Sequence, residues 1–143
     1  MTTDTTPKEF VKRYLQAFND RDWDALREHL APDAVEHGIH TELHGPDEIV
    51  EFLRSHFETF PDYAGTMEAI LADDDTVAVR YTATGTLSEA YRDAEPTPNP
   101  VEWTGMAMYH IEDDTIAEIW LEEDRLGMLE QVEAAEAPAH LRI

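Results

Sequence analysis

The tract Ile116-Ala117-Glu118-Ile119-Trp120-Leu121-Glu122-Glu123-Asp124-Arg125 sets carboxylates beside a tryptophan, at the point where a strand should pass into a helix. A carboxyl group next to apolar and aromatic side chains loses hydration of its charged form, so its pKa rises toward values useful for proton transfer. Asp124 is the leading candidate. As a base it would take an acidic proton next to a carbonyl; as an acid it would protonate an alkoxide. Asp also suits the N-cap of a helix beginning at Arg125. Glu122 is expected on the same face, and two carboxylates in one pocket would raise one pKa by repulsion. His37 ends a short predicted strand, where an imidazole could orient a carbonyl, shuttle a proton, or simply bond to backbone. His37, His40, Glu42 and His44 suggest a metal cluster, but Gly38 and Gly45 argue against the helix that would converge them. No metal and no cofactor is expected.

These groups need elements to hold them. Thr6-Pro7-Lys8-Glu9 reads as a capped helix start, and Phe10, Val11, Tyr14, Leu15 and Phe18 recur at helical spacing. A second short helix is expected from Asp22 to Leu30, a strand from Ala34 to His37, and a third helix from Pro46 to Phe60. That third helix buries Ile49, Val50, Leu53, Phe57 and Phe60. The remainder reads as strands over 63–72, 76–86, 101–111 and 115–123, with a loop or lid at 88–100 rich in proline. A short helix follows from Arg125. Helices first and strands afterwards indicate an α+β fold, in one domain spanning residues 1–143 with flexible termini at 1–5 and 134–143.

A two-residue turn at Asp113-Asp114 would pair Tyr109 with Glu118, Ala107 with Trp120, Gly105 with Glu122 and Trp103 with Asp124, all on one face. The other face would carry Met106, Met108, His110, Ile119 and Leu121. A sheet apolar on both sides needs two covers. The helices supply one, and a second copy of the chain is the expected other.

The 143 residues contain 32 Asp+Glu against 10 Lys+Arg, for a formal charge of −22, and no cysteine. Disulfides and thiolate chemistry are thereby excluded. Size scaling gives about 7,500 Å² of folded surface, or one excess negative charge per roughly 340 Å². Self-repulsion of that order disfavours the compact state unless salt screens it, which molar salt does over about 3 Å. The composition resembles that of proteins from salt-loving organisms. It argues against nucleic acid or anionic membranes as partners. No signal-like or membrane-spanning run is seen, so a cytoplasmic protein is expected.

Several segments together resemble one family. They are Phe18-Asn19-Asp20-Arg21-Asp22-Trp23, Leu30-Ala31-Pro32-Asp33-Ala34-Val35-Glu36-His37, Gly45-Pro46-Asp47-Glu48-Ile49, Phe60-Pro61-Asp62, Val77-Ala78-Val79-Arg80-Tyr81, Gly85-Thr86 and Trp120 to Gln131. In this order they resemble the SnoaL-like polyketide cyclase/ester cyclase family of the nuclear-transport-factor-2-like (NTF2-like) superfamily. The resemblance implies a cone, in which three helices and a strongly curved, mainly antiparallel sheet enclose an apolar pocket, and a dimer packed through the sheets. It also matches the cyclases' acid/base aspartate to Asp124, and a polar pocket position to His37. Tyr14 matches an oxyanion-hole tyrosine of steroid isomerases in the superfamily, but their two aspartate positions hold His37 and Ala107 here. Tyr14 is therefore either a phenol donor or a core tyrosine. Trp103, Tyr109 and Trp120 are expected as pocket lining, with Phe57 and Phe60 closing it. Arg80 would anchor an anionic group or pair with a carboxylate. The Asp–Arg–Asp pattern of the superfamily's epoxide hydrolases is incomplete, since Thr82 follows Arg80.

The resulting expectation is a cofactor-free cyclase, isomerase or lyase acting on a small hydrophobic carbonyl compound. A hydrophobic-ligand-binding protein is the alternative, and an epoxide hydrolase the third. The mechanistic part depends on Asp124 facing the hollow.

Overall fold

The computed structural model describes residues 5–39, 41–92 and 94–133. Helix α1 (Pro7–Asn19) starts as expected: the Thr6 hydroxyl accepts from the Glu9 N–H at 3.2 Å, with Pro7 in the first turn. Its buried face is Phe10, Val11, Tyr14, Ala17 and Phe18. Helix α2 (Trp23–His29), capped by Asp22, runs directly into β1 (Leu30–His37), which is longer than the predicted strand. β2 (Glu42–His44) and α3 (Gly45–Thr59) follow. Ile49 and Val50 of α3 are fully buried, while Leu53 and Phe57 are half-buried. The remaining elements are β3 (Ala64–Asp73), β4 (Thr76–Gly85), β5 (Val101–Glu112), β6 (Thr115–Glu123) and α4 (Arg125–Val132).

The six strands form one curled, unclosed sheet in the order β2-β1-β6-β5-β4-β3, with only β1 and β6 parallel. This is the expected α+β cone, with α1, α2 and α3 packed into its hollow side. Among its described residues the predicted loop at 88–100 carries one isolated bridge, Tyr91 with Ala94, and otherwise no strand or helix. Of the termini expected to be flexible, residues 1–4 and 134–143 lie outside the described residues. Thr5 is buried, and its hydroxyl accepts from Arg13 at 3.4 Å.

The last hairpin corrects the predicted register. Its turn is indeed Asp113-Asp114, both with positive φ (48° and 63°), since Glu112 pairs with Thr115. A bulge then leaves Ala117 without an opposite number: Ile111 pairs with Ile116, but His110 pairs with Glu118 and Tyr109 with Ile119. One extra residue exchanges the faces of a strand. β5 lies as predicted, with Val101, Trp103, Ala107, Tyr109 and Ile111 buried. β6 is inverted. Ile119, Leu121 and Glu123 look inward, and Trp120 and Glu122 look outward.

Candidate active site

α1, α3 and the inner face of the sheet leave a cavity of about 490 Å³, open at one end beside Lys12, Gln16 and Asn19. Much of its wall is apolar, from Leu15, Phe18, Phe52, Leu53, Val79, Ala107, Ile119 and Leu121. Into it project two acids, one histidine and four tyrosines: Glu36, Glu123, His56, Tyr14, Tyr63, Tyr81 and Tyr109.

Strand alternation brings Glu36 inside. Ala34 is buried, and Glu36 follows two residues later on the same face, paired with inward-facing Ile119 and only 3 % exposed. Its carboxyl makes no hydrogen bond to another described residue. Burial, aided by the nearby charge of Glu123, pushes its pKa up to about 7. Near neutral pH it therefore exists in both forms.

Glu123 is the opposite case. Its side chain is also buried, but its carboxylate accepts from the Tyr81 hydroxyl at 2.5 Å, from the Trp103 indole at 3.4 Å and from Arg125 at 3.0 Å through both Nε and Nη2. Arg125 also bonds the Tyr91 hydroxyl, tying the long loop to this network. Gly105 makes room for it. A Cβ there would come within 2.4 Å of the Tyr81 ring, which lies across β5 to reach Glu123. Glu123 is thus paired and hydrogen-bonded, while Glu36 has no such partner among the described residues.

Tyr14 has a buried hydroxyl with no hydrogen-bond partner. Burial, then the charge of Glu36 and the neighbouring Tyr109, raises its pKa well above the usual 10.0. The phenol therefore keeps its proton and can donate it to a ligand oxygen. Its ring meets that of Tyr109 edge-on at 5.9 Å. Burial likewise raises Tyr109, Tyr63 and Tyr81, so none of the four supplies a phenolate. His56 on α3 donates through Nδ1 to the Phe52 carbonyl at 3.1 Å; burial lowers its pKa, and the opposing charge of Glu123 is the next influence.

The sequence-predicted residues divide three ways. Tyr14 and Tyr109 line the cavity. The tilted rings of Trp103 and Phe60 meet at 5.0 Å between centroids and bound a separate chamber of about 90 Å³ with Tyr91 and Arg125. Phe57 packs among Phe18, Trp23 and Tyr63 under the Arg21 guanidinium, off the cavity wall. The others are outside. Trp120, Glu122 and Arg80 sit on the outer sheet face, and Arg80 has no ion pair among the described residues. Asp124 is exposed and caps α4, accepting from the Gly127 N–H at 2.8 Å. His37 alternates outward from Glu36. It stacks on Trp120 at 5.6 Å and bonds Glu118 at 2.5 Å, which leads the rise in its pKa. Glu42 lies 3.4 Å from His37 and 3.1 Å from His44. His40 is outside the described residues. Among the described residues, no three acidic or imidazole groups converge as a metal site requires.

A family model for the SnoaL-like polyketide cyclases matches residues 8–132. The chain belongs to that family. Solved structures agree on the fold of this SnoaL-like protein. IdmH of Streptomyces antibioticus, a candidate polyketide cyclase, is 30 % identical, with a TM-score of 0.81 over 90 % of this chain and 99 % of its own. A SnoaL-like polyketide cyclase of Agrobacterium tumefaciens is 19 % identical, with a TM-score of 0.78 over 90 % and 98 %. AclR of Streptomyces galilaeus, a candidate hydroxylase, is 23 % identical, with a TM-score of 0.79 over 92 % and 97 %. No curated protein sequence matches. No described helix of the SnoaL-like chain is long and apolar enough to cross a membrane.

Glu36, His56, Tyr81 and Glu123 escaped the sequence reading. The spacing Ala34-x-Glu36 carried the signal for Glu36, because a buried alanine on a strand takes its i+2 neighbour inward. Glu123 was hidden by the bulge at Ala117.

Proposed function

We propose that this SnoaL-like protein is a cofactor-free acid/base enzyme acting on a small hydrophobic carbonyl compound, by aldol-type ring closure or proton transfer next to the carbonyl. The observation that carries the reading is Glu36, a buried carboxyl without a hydrogen-bond partner among the described residues, poised near neutrality on the wall of an apolar cavity. A group that moves a proton in both directions works best with a pKa near the ambient pH. The unsatisfied Tyr14 hydroxyl supports the reading, because a donor waiting in a dry site stabilises developing negative charge on oxygen. The apolar walls hold a flexible substrate in a folded shape, which removes much of the entropic cost of ring closure. The role expected of Asp124 passes to Glu36, since a carboxylate spent on a helix cap in open solvent meets neither requirement.

The working form is a cytoplasmic homodimer joined through the outer sheet face. Leu71 (70 % exposed), Met106 (56 %), Met108 (42 %) and Trp120 (37 %) support this, being four large apolar side chains on strands in an otherwise acidic molecule.

The test is α-proton exchange of 2-tetralone in D2O, followed by proton NMR, with binding measured in parallel by tyrosine and tryptophan fluorescence. Exchange is expected above the buffer rate, falling roughly 100-fold or more in Glu36→Gln while binding persists. Binding without exchange would favour a ligand carrier instead. Exchange indifferent to Glu36→Gln would remove this carboxyl from the chemistry.

A further inference from the structure

We propose that His56 is the catalytic base of this cavity, accepting the proton from carbon at Nε2 while the Glu36 carboxylic acid delivers its own proton to oxygen. This assignment rests on the proton-transfer reading above and divides its two halves between two walls, helix α3 and strand β1. A carbonyl can only accept a hydrogen bond, so the 3.1 Å contact to Phe52 fixes the hydrogen on Nδ1 and leaves the lone pair on Nε2. The backbone of the same helix, at Phe52 and Leu53, is the hydrogen-bonding partner of the ring, and the direct side-chain contact runs through Nδ1. The ring is held by Phe52 at 5.0 Å, Tyr63 at 5.7 Å and Phe18 at 5.9 Å between centroids, so its direction is set before a ligand arrives.

The charges facing each group fit the roles. His56 feels Glu123 on β6, whose charge opposes the effect of burial, and to a smaller extent Arg125 on α4, which adds to it. Burial then keeps the imidazole neutral, the state a base requires. Glu36 faces Glu123, Tyr14 and Tyr109, and its burial, then the charge of Glu123, make it retain its proton further toward neutral pH than an ordinary glutamic acid. In the step itself, the carbon–hydrogen bond breaks and the proton passes to Nε2. The released electron pair forms an enol double bond, or a carbon–carbon bond to a second carbonyl. The oxygen that gains the electrons takes the Glu36 proton. Imidazolium and carboxylate remain, and water at the open mouth returns the proton from one to the other.

The two groups impose opposite limits on pH. His56 must have lost its proton and Glu36 must have kept its own, so the exchange rate of 2-tetralone should rise and then fall as pH increases, with the fall centred near pH 7. His56→Asn retains a donor near the Nδ1 position and lacks Nε2. It should exchange roughly 100-fold or more slowly without the acid limb. His56→Ala should recover part of its rate in added imidazole, a rescue that a packing role would not produce. Glu36→Gln, besides its slower exchange, should lose the alkaline limb and keep the acid limb. The proposal is overturned if His56→Asn keeps both the rate and the acid limb, or if the acid limb disappears in Glu36→Gln instead. Absence of exchange in the unaltered protein overturns it together with the proton-transfer reading, a different result from Glu36-dependent exchange that ignores His56.

Discussion

Replacing Glu36 by Gln should stabilise the protein in alkaline solution, and the size of the gain follows from its burial. The carboxyl is raised from the usual 4.5 to about 7 by the folded state, so the fold holds a proton that the unfolded chain releases. Such a group contributes stability that is fully present below about pH 4.5 and is lost as pH rises through about 7. At ~1.4 kcal/mol for each tenfold change in the proton equilibrium, the loss is about 3 kcal/mol. Gln has nearly the shape of the protonated acid and cannot ionise, so the variant should match the parent at low pH and exceed it by about 3 kcal/mol above neutrality. In a domain of this size that is a rise of roughly 10 °C in melting temperature. Urea melts at pH 5 and pH 8 (conditions bracketing the raised value of about 7) would measure the difference, in molar salt to suppress the other carboxylates. Equal stabilities for the two proteins at both pH values would mean that Glu36 ionises without penalty, and the desolvated-acid argument would fall with it.

Other side chains give sharper local tests. Asp124→Ala should lose about 1 kcal/mol through the missing helix cap, with Asp124→Asn nearly neutral and proton exchange intact in both; loss of exchange without loss of stability would restore Asp124 to the chemistry. Glu123→Gln should cost about 3 kcal/mol or more by stranding the half-buried Arg125, and a denaturation loss well below ~1 kcal/mol would show that solvent replaces the carboxylate. Met108→Glu on the outer face should convert a dimer into a folded monomer by light scattering; a parent already monomeric at high concentration would refute the sheet-face interface. Removal of molar salt should lower the melting temperature, and a melt indifferent to salt would reject self-repulsion among the 22 excess negative charges as a governing term.

Most of the fold could be read because it is written in periodicity and punctuation. Thr6-Pro7 announces α1, alternation marks β4 and β5, and Asp113-Asp114 marks the turn that the positive φ values require. The cavity side of β6 could not be read the same way. A bulge is decided by how a strand twists against both neighbours, and β6 must pair in parallel with β1 while pairing antiparallel with β5. No residue type at Ala117 signals that demand. Inverting one strand moved Trp120 and Glu122 out and Glu123 in, and made the residue next in line, Asp124, a cap. Tyr109 and Tyr14 were legible as cavity residues because β5 has no such insertion before them and α1 keeps a regular turn. His56 was illegible for another reason. It lies between Phe52 and Phe57 on a helix whose buried stripe appeared complete without it, and only a hollow beneath that stripe makes a half-buried histidine a site residue.

The treatment of the two interior acids explains how so acidic a chain can hold carboxylates inside at all. Ionising both in one cavity would add their mutual repulsion to the desolvation of each. The fold resolves the conflict asymmetrically. Glu123 receives donors from Arg125, Tyr81 and Trp103. Glu36 receives none from the described residues, and accepts a proton instead. The fixed charge of Glu123 is also the second cause of the rise at Glu36, so the fully bonded acid helps tune the free one. The same charge opposes the burial effect at His56, which keeps the imidazole from becoming too weak a base. Glu123 is thus a positioning group of the cavity, acting through its charge on both Glu36 and His56. Its place behind Tyr81, on the partition between the large cavity and the small chamber, is where a structural carboxylate can influence the site while leaving its space to a ligand.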